Sequence, residues 1–181
     1  MIMNTTIRFS LPVALLLFAA TAGADNHGPG ATAEIIDADA QKIGQADFVQ
    51  GSTGTLIRLK LRGLAPGWKA VHIHGTGTCE DHDHGFQDSG GHLNPDGRKH
   101  GLLNAEGPDA GDLPNFHVHA DGFAWVEFHT TAASLDGSFG AHILGEDGAA
   151  LVIHENPDDH VSQPIGGAGA RIACGVIKAD N

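Results

Sequence analysis

The chain has 181 residues, a formal net charge of -12 with neutral histidines, thirteen histidines and only two cysteines. So acidic a protein would meet a phosphate backbone as a like charge, which excludes nucleic acid as a partner. No apolar run reaches the length of a bilayer span, which excludes an integral helical membrane protein.

Residues 1–24 read as an export signal: Arg8, an apolar run from Leu11 to Ala20, then the small triplet Ala22-Gly23-Ala24. Cleavage after Ala24 leaves residues 25–181 as one domain with a sizeable core. It also leaves Asp25-Asn26-His27 at the new terminus, where amine, amides and imidazole together form a square-planar site for Cu(II) or Ni(II). After a Gly/Ala spacer, ATAEIID, IGQADFVQ, TLIRLKLRG, KAVHIHG, NFHVHADG, FAWVEFHT, AALVIHE and RIACGVI alternate or are β-branched, with Gly, Asp, Asn and Pro between them. No stretch holds a helical apolar period. The chain is therefore all-β, a sandwich or closed barrel.

One interval breaks the pattern. From Gly75 to Leu113 the chain is polar, Gly-rich and without strand character, and loops of that length in compact domains are functional or disordered. Cys79 and several histidines argue for order. A shorter irregular interval runs from Glu155 to Ala170. In an exported protein an isolated cysteine pair, Cys79 and Cys174, points to a disulfide, with two buried thiols as the alternative.

The chemistry concentrates in histidine. His72 and His74 alternate with apolar residues in VHIH, so both imidazoles leave the strand on one face about 6–7 Å apart. Alone, such a pair is as readily a solvent-facing polar pair as a metal site. His92 follows two glycines, His100 closes a turn, Asp109 and Asp112 follow in GPDAGD, and His154 stands in the distant LVIHE. Imidazole suits copper and zinc, and carboxylate can complete a zinc site.

GHLNP, KHGLLN and AGDLPN, then LVIHENPDD and RIACGVI, together with VHIHG, resemble the bacterial periplasmic copper,zinc superoxide dismutases in order and spacing from about Ala33 onward. The resemblance implies an eight-stranded antiparallel Greek-key barrel, immunoglobulin-like, with long metal-binding and electrostatic loops. It implies copper held by His72, His74, His92 and His154, and zinc held by His92, His100 and Asp112. It makes Cys79–Cys174 the family's disulfide, Arg171 the cation that holds superoxide beside copper, and Asp158 the carboxylate joining a copper histidine to a zinc histidine. The expected activity is dismutation of superoxide in the periplasm. The family includes monomers and dimers, so a homodimer is one candidate state.

Asp109 departs from the pattern, standing where the family carries a third zinc histidine. Aspartate binds zinc through oxygen, so a two-His, two-Asp site is the expected outcome and a copper-only enzyme the alternative. A non-catalytic copper and zinc buffer is the rival from another class, and Arg171 speaks against it, since storage needs no anion-binding cation. The interval from Glu155 to Ala170 contains no lysine, so weak steering of the substrate is expected. Of the remaining histidines, His82 and His84 read as a solvated acidic loop rather than a metal-capturing one. His117 and His119 read as an exposed face rather than a second metal site. His129, His142 and His160 need no role.

Overall fold

The computed structural model describes residue 1 and residues 30–180. Apart from Met1, the export segment and His27 lie outside the described residues. Eleven strands follow in chain order among them: β1 (Gly30–Asp37), β2 (Lys42–Gln50), β3 (Thr55–Leu61), β4 (Gly67–Lys69), β5 (Val71–His74), β6 (Phe116–Val118), β7 (Ala124–Thr130), β8 (Ala133–Ser134), β9 (Ala141–His142), β10 (Ala150–His154) and β11 (Arg171–Ala179). Among the described residues the helical elements are two short 3-10 turns, His82–His84 and Gln87–Ser89.

Alternation sets the inside of the barrel. In β3, Thr55, Ile57, Leu59 and Leu61 are buried while Arg58 and Lys60 face water; in β1, Ala31, Ala33 and Ile35 are buried while Glu34 is exposed. The buried apolar side chains among them join Phe48, Val71, Ile73, Phe116, Leu151 and Ile153 in one core. Each large apolar side chain so enclosed favours the fold by about 1.5–3 kcal/mol.

Seven strands form one sheet in the order β5-β10-β11-β1-β2-β3-β7. The two ends of this sheet meet through β6. It turns into β7 through bonds between His119 and Phe123 and between Gly122 and His119, and it pairs with β4, which runs on through Ala70 into β5. With β4–β5 counted as one interrupted strand, the expected eight-stranded barrel is recovered. The sequence reading missed β8 and β9, a parallel pair of two-residue strands too short to show any alternation.

The Cys79–Cys174 disulfide forms, across a sequence separation of 95 residues. With Phe86, Ala150 and Val152 it makes a second small core on the outside of the barrel, pinning the Gly75–Leu113 interval to β10 and β11. The loop length sets the expected consequence. Replacing both cysteines by alanine should lower the unfolding free energy of the metal-free protein by about 4–5 kcal/mol on the chain-entropy account. Denaturant titration measures this, and a loss under about 1 kcal/mol would contradict it.

Candidate metal centre

In β5, Val71 and Ile73 point into the core, so His72 and His74 must leave on the opposite face. That face is roofed by loops, and both imidazoles are fully buried. The main chain of Ile73 attaches the roof. Its N–H donates to the carbonyl of Gly111 at 2.9 Å, and its carbonyl accepts from the N–H of Leu93 at 2.8 Å. Bridges His74↔His92 and His72↔Asp112 continue this pairing, so His92 and Asp112 are held directly beside the two strand histidines. Gly111 is needed for this approach, because a Cβ there would lie 2.2 Å from the Ile73 carbonyl oxygen.

His154 comes from β10, where a register shift after Ile153 pairs it with Arg171 of β11. The five histidines converge. Ring centroids are 4.1 Å apart for His72 and His92, 4.9 Å for His72 and His154, 5.3 Å for His74 and His92, and 5.1 Å for His92 and His100.

Each ring of the first group has one anchored nitrogen. His72 Nε2 pairs with Asp158 Oδ2 at 2.9 Å, His74 Nδ1 with the Gly90 carbonyl at 2.9 Å, His92 Nδ1 with Asp109 Oδ2 at 2.9 Å, and His154 Nδ1 with the Gly169 carbonyl at 3.2 Å. The other nitrogens, His72 Nδ1, His74 Nε2, His92 Nε2 and His154 Nε2, are buried with no hydrogen-bond partner. A buried polar atom without a partner costs about 1–3 kcal/mol. His72, His74 and His154 offer nitrogen atoms within 4.8 Å of one another, and the His92 ring packs against those of His72 and His74, an arrangement that fits a shared metal ion, with the opposite nitrogens supplying the oriented backing that ligating histidines use. Burial, together with the neighbouring imidazoles and Arg171, pushes His74 down to about 2; burial and the other histidines push His154 down to about 3. Both lone pairs are therefore open at neutral pH.

A second set lies against the first. His92, His100, Asp109 and Asp112 offer donor atoms all within 4.8 Å of one another. His100 Nδ1 meets Asp112 Oδ1 at 2.6 Å. Each aspartate is fixed through its other oxygen: Asp112 Oδ2 accepts from the N–H groups of Gly101 and Asp109, and Asp109 Oδ1 accepts from that of Gly111. Asp109 is therefore built into the cluster rather than turned away from it. Burial opposes charge on His92, but the Asp109 and Asp112 carboxylates outweigh it and raise the imidazole to about 9. Asp158 joins the two sets, reaching His72 Nε2 with one oxygen and His100 Nε2 with the other, at 3.1 Å.

Arg171 borders the same site. Its Nη1 donates to the Phe86 carbonyl at 2.6 Å and Ser89 Oγ at 3.1 Å, and its Nη2 to the Gly90 carbonyl at 2.8 Å. With His74, His92, Arg98, Asp109 and Gln163 it lines a cavity of about 420 Å³.

Sequence reasoning missed several supporting groups. Ser89, fully buried, accepts from Arg171, donates to the Phe86 carbonyl and touches His74 Nδ1 at 3.3 Å; its one signal is its place just before Gly90-Gly91-His92. Gln163 bonds both backbone groups of His100. His160, assigned no role from sequence, donates its backbone N–H to Asp158 at 2.6 Å and sets its ring against Asn115. His82 bonds the Ala38 carbonyl and His84 bonds Asp83, both on the loop surface.

The copper/zinc superoxide dismutase (SODC) family profile matches residues 42–177. The chain belongs to this family. It is 45% identical over 150 residues to a Cu-Zn superoxide dismutase of Caulobacter vibrioides, covering 82% of this chain and 85% of that one. It is 42% identical over 165 residues to a second such enzyme, from Aquifex aeolicus, covering 91% and 94%. Among solved structures it is similar to a SOD-like protein from Bacillus subtilis, with a TM-score of 0.76 and 35% identity over 82% of this chain and 99% of that one.

The Ser89 contact carries a prediction. In Ser89→Ala, Arg171 loses one fixed acceptor, which is worth about 1 kcal/mol. Azide affinity of the metal-loaded protein, read from its visible copper band, should fall about fivefold. Unchanged azide affinity would contradict the positioning assigned to Ser89.

Proposed function

We infer that this protein dismutes superoxide with copper and zinc, and the observation that carries the reading is the set of four bare imidazole nitrogens beside a fixed guanidinium. We assign copper to His72 Nδ1, His74 Nε2, His92 Nε2 and His154 Nε2. Zinc falls to His92 Nδ1, His100 Nδ1, Asp109 and Asp112, with Asp158 backing both sites. Bound copper supplies the electron chemistry by alternating between two oxidation states, so that two superoxide ions and two protons become dioxygen and hydrogen peroxide.

The residues do the rest. Arg171 brings the anion to the copper face of the cavity. Three of its N–H groups are committed to Phe86, Ser89 and Gly90, which leaves Nε–H and the second Nη2 hydrogen for substrate. Burial lowers its pKa without discharging it, since an arginine side chain stays protonated in proteins. His92 stands between the two donor sets, and its Nε2, when it is not on copper, is the group suited to hold a proton for the nascent peroxide. The rival reading, a metal store, gives Arg171 nothing to do.

Arg98 modifies the expectation of weak steering. It comes from the zinc-side loop, bonds the carbonyls of Gly107 and Pro108, and lines the same cavity, where it offsets the charge that Asp109 adds. The reading retains an export signal over residues 1–24 and a periplasmic location, where a disulfide persists.

Arg171→Ala should lower kcat/KM by about 10- to 100-fold, the loss of one charge-assisted anion contact, with copper content unchanged. A rate within about twofold of the parent would favour the metal store. Asp109→Ala should retain copper but lose zinc affinity by more than about tenfold, while Asp109→His keeps both metals. Metal counting decides this, and full zinc occupancy in Asp109→Ala would remove Asp109 from the zinc set.

A further inference from the structure

We propose that His117 and His119 form a second metal site, on the outer surface of the barrel, that takes one divalent ion of the copper(II), nickel(II) or zinc class. The two residues flank buried Val118 in β6, and the core contacts of Val118 and Phe116 force both imidazoles out on one face. Their ring centroids are 5.8 Å apart. Nitrogens bound to one such ion lie about 2.0–2.1 Å from it. Exposed rings at this spacing reach that arrangement by rotation about their side-chain torsions.

The backbone beneath them is fixed on both sides. Trp68 of β4 pairs with His117, and the tight turn into β7 bonds His119 N–H to the Phe123 carbonyl and Gly122 N–H to the His119 carbonyl, each at 2.9 Å. A strand held at both edges spares the ordering cost that a pair on a free loop would incur. Imidazole nitrogens are borderline donors and select this class of ion over magnesium or calcium. The protein's net charge of -12 favours any cation at its surface. The pair lies on β6 and the residue that follows it, a segment that contributes no residue to the two donor sets already described.

Trp68 supplies the readout. It is 57% exposed, and its ring stands edge-on to His117 with centroids 5.3 Å apart. A paramagnetic copper(II) ion on His117 would quench its fluorescence.

The test uses protein already loaded with copper and zinc and carrying Trp125→Phe and His27→Ala, so that Trp68 is the one remaining tryptophan and the amino-terminal copper(II) site is removed. Copper(II) added to it should quench emission in a saturable phase complete at one further equivalent. His117→Ala and His119→Ala should each weaken that phase by more than about tenfold. His142→Ala, a change at another exposed histidine, should leave it intact. Dismutase activity should be unchanged in all three variants, which confirms folding because none touches the catalytic centre. A parent with no saturable phase, or quenching that survives in both His117→Ala and His119→Ala, would overturn the proposal.

Discussion

The metal centre depends on the main chain of one residue, Ile73. Its side chain is locked in the barrel core, so its backbone position is fixed by the fold, and its N–H and C=O reach outward to Gly111 and Leu93. Through those two bonds the rigid edge of β5 becomes the template for a loop interval of nearly forty residues. His92 and Asp112, one residue from each contact, are thereby set beside His72 and His74. A long loop is entropically expensive to order, and the disulfide and the Ile73 clamp hold it at separate points.

Charge is distributed with the same economy of groups. The centre carries three buried aspartates, each with at least one oxygen on a histidine ring and main-chain N–H groups as additional donors. Aspartate at position 109 adds negative charge next to a site that must attract an anion. The compensating cations come from two directions, Arg171 on β11 and Arg98 on the loop beneath Asp109, and both meet the same cavity. At physiological ionic strength screening acts over about 8 Å, so charges within the cavity wall count for more than the acidic surface of the whole molecule.

Much of this was legible in the chain because the responsible signals are local. Alternation in TLIRLKL names the buried face directly, alternation in VHIH separates the core side chains from the histidines though both faces are buried, and the eight strand segments read from sequence correspond to the eight staves of the barrel. The family resemblance supplied what no local pattern holds, the meeting of His72, His74, His92 and His154 from three separate segments. What escaped was second-layer and tertiary. Ser89 and Gln163 look like ordinary loop residues, since their importance lies in which carbonyl or guanidinium the fold brings to them. His160 looked idle because its contribution to Asp158 is made largely by its backbone. Arg98 belongs to a different loop from the one searched for cations, and only closure of the cavity unites it with Arg171.

The function of this centre requires that the four unpartnered imidazole nitrogens share one ion. A crystal structure of the metal-loaded protein, with anomalous maps collected at the copper and zinc edges, addresses it directly. The expected result is a copper peak bounded by His72 Nδ1, His74 Nε2, His92 Nε2 and His154 Nε2, and a zinc peak on the far side of His92 with Asp109 in contact. Copper bound elsewhere, or held through His72 Nε2 with Asp158 displaced, would contradict it.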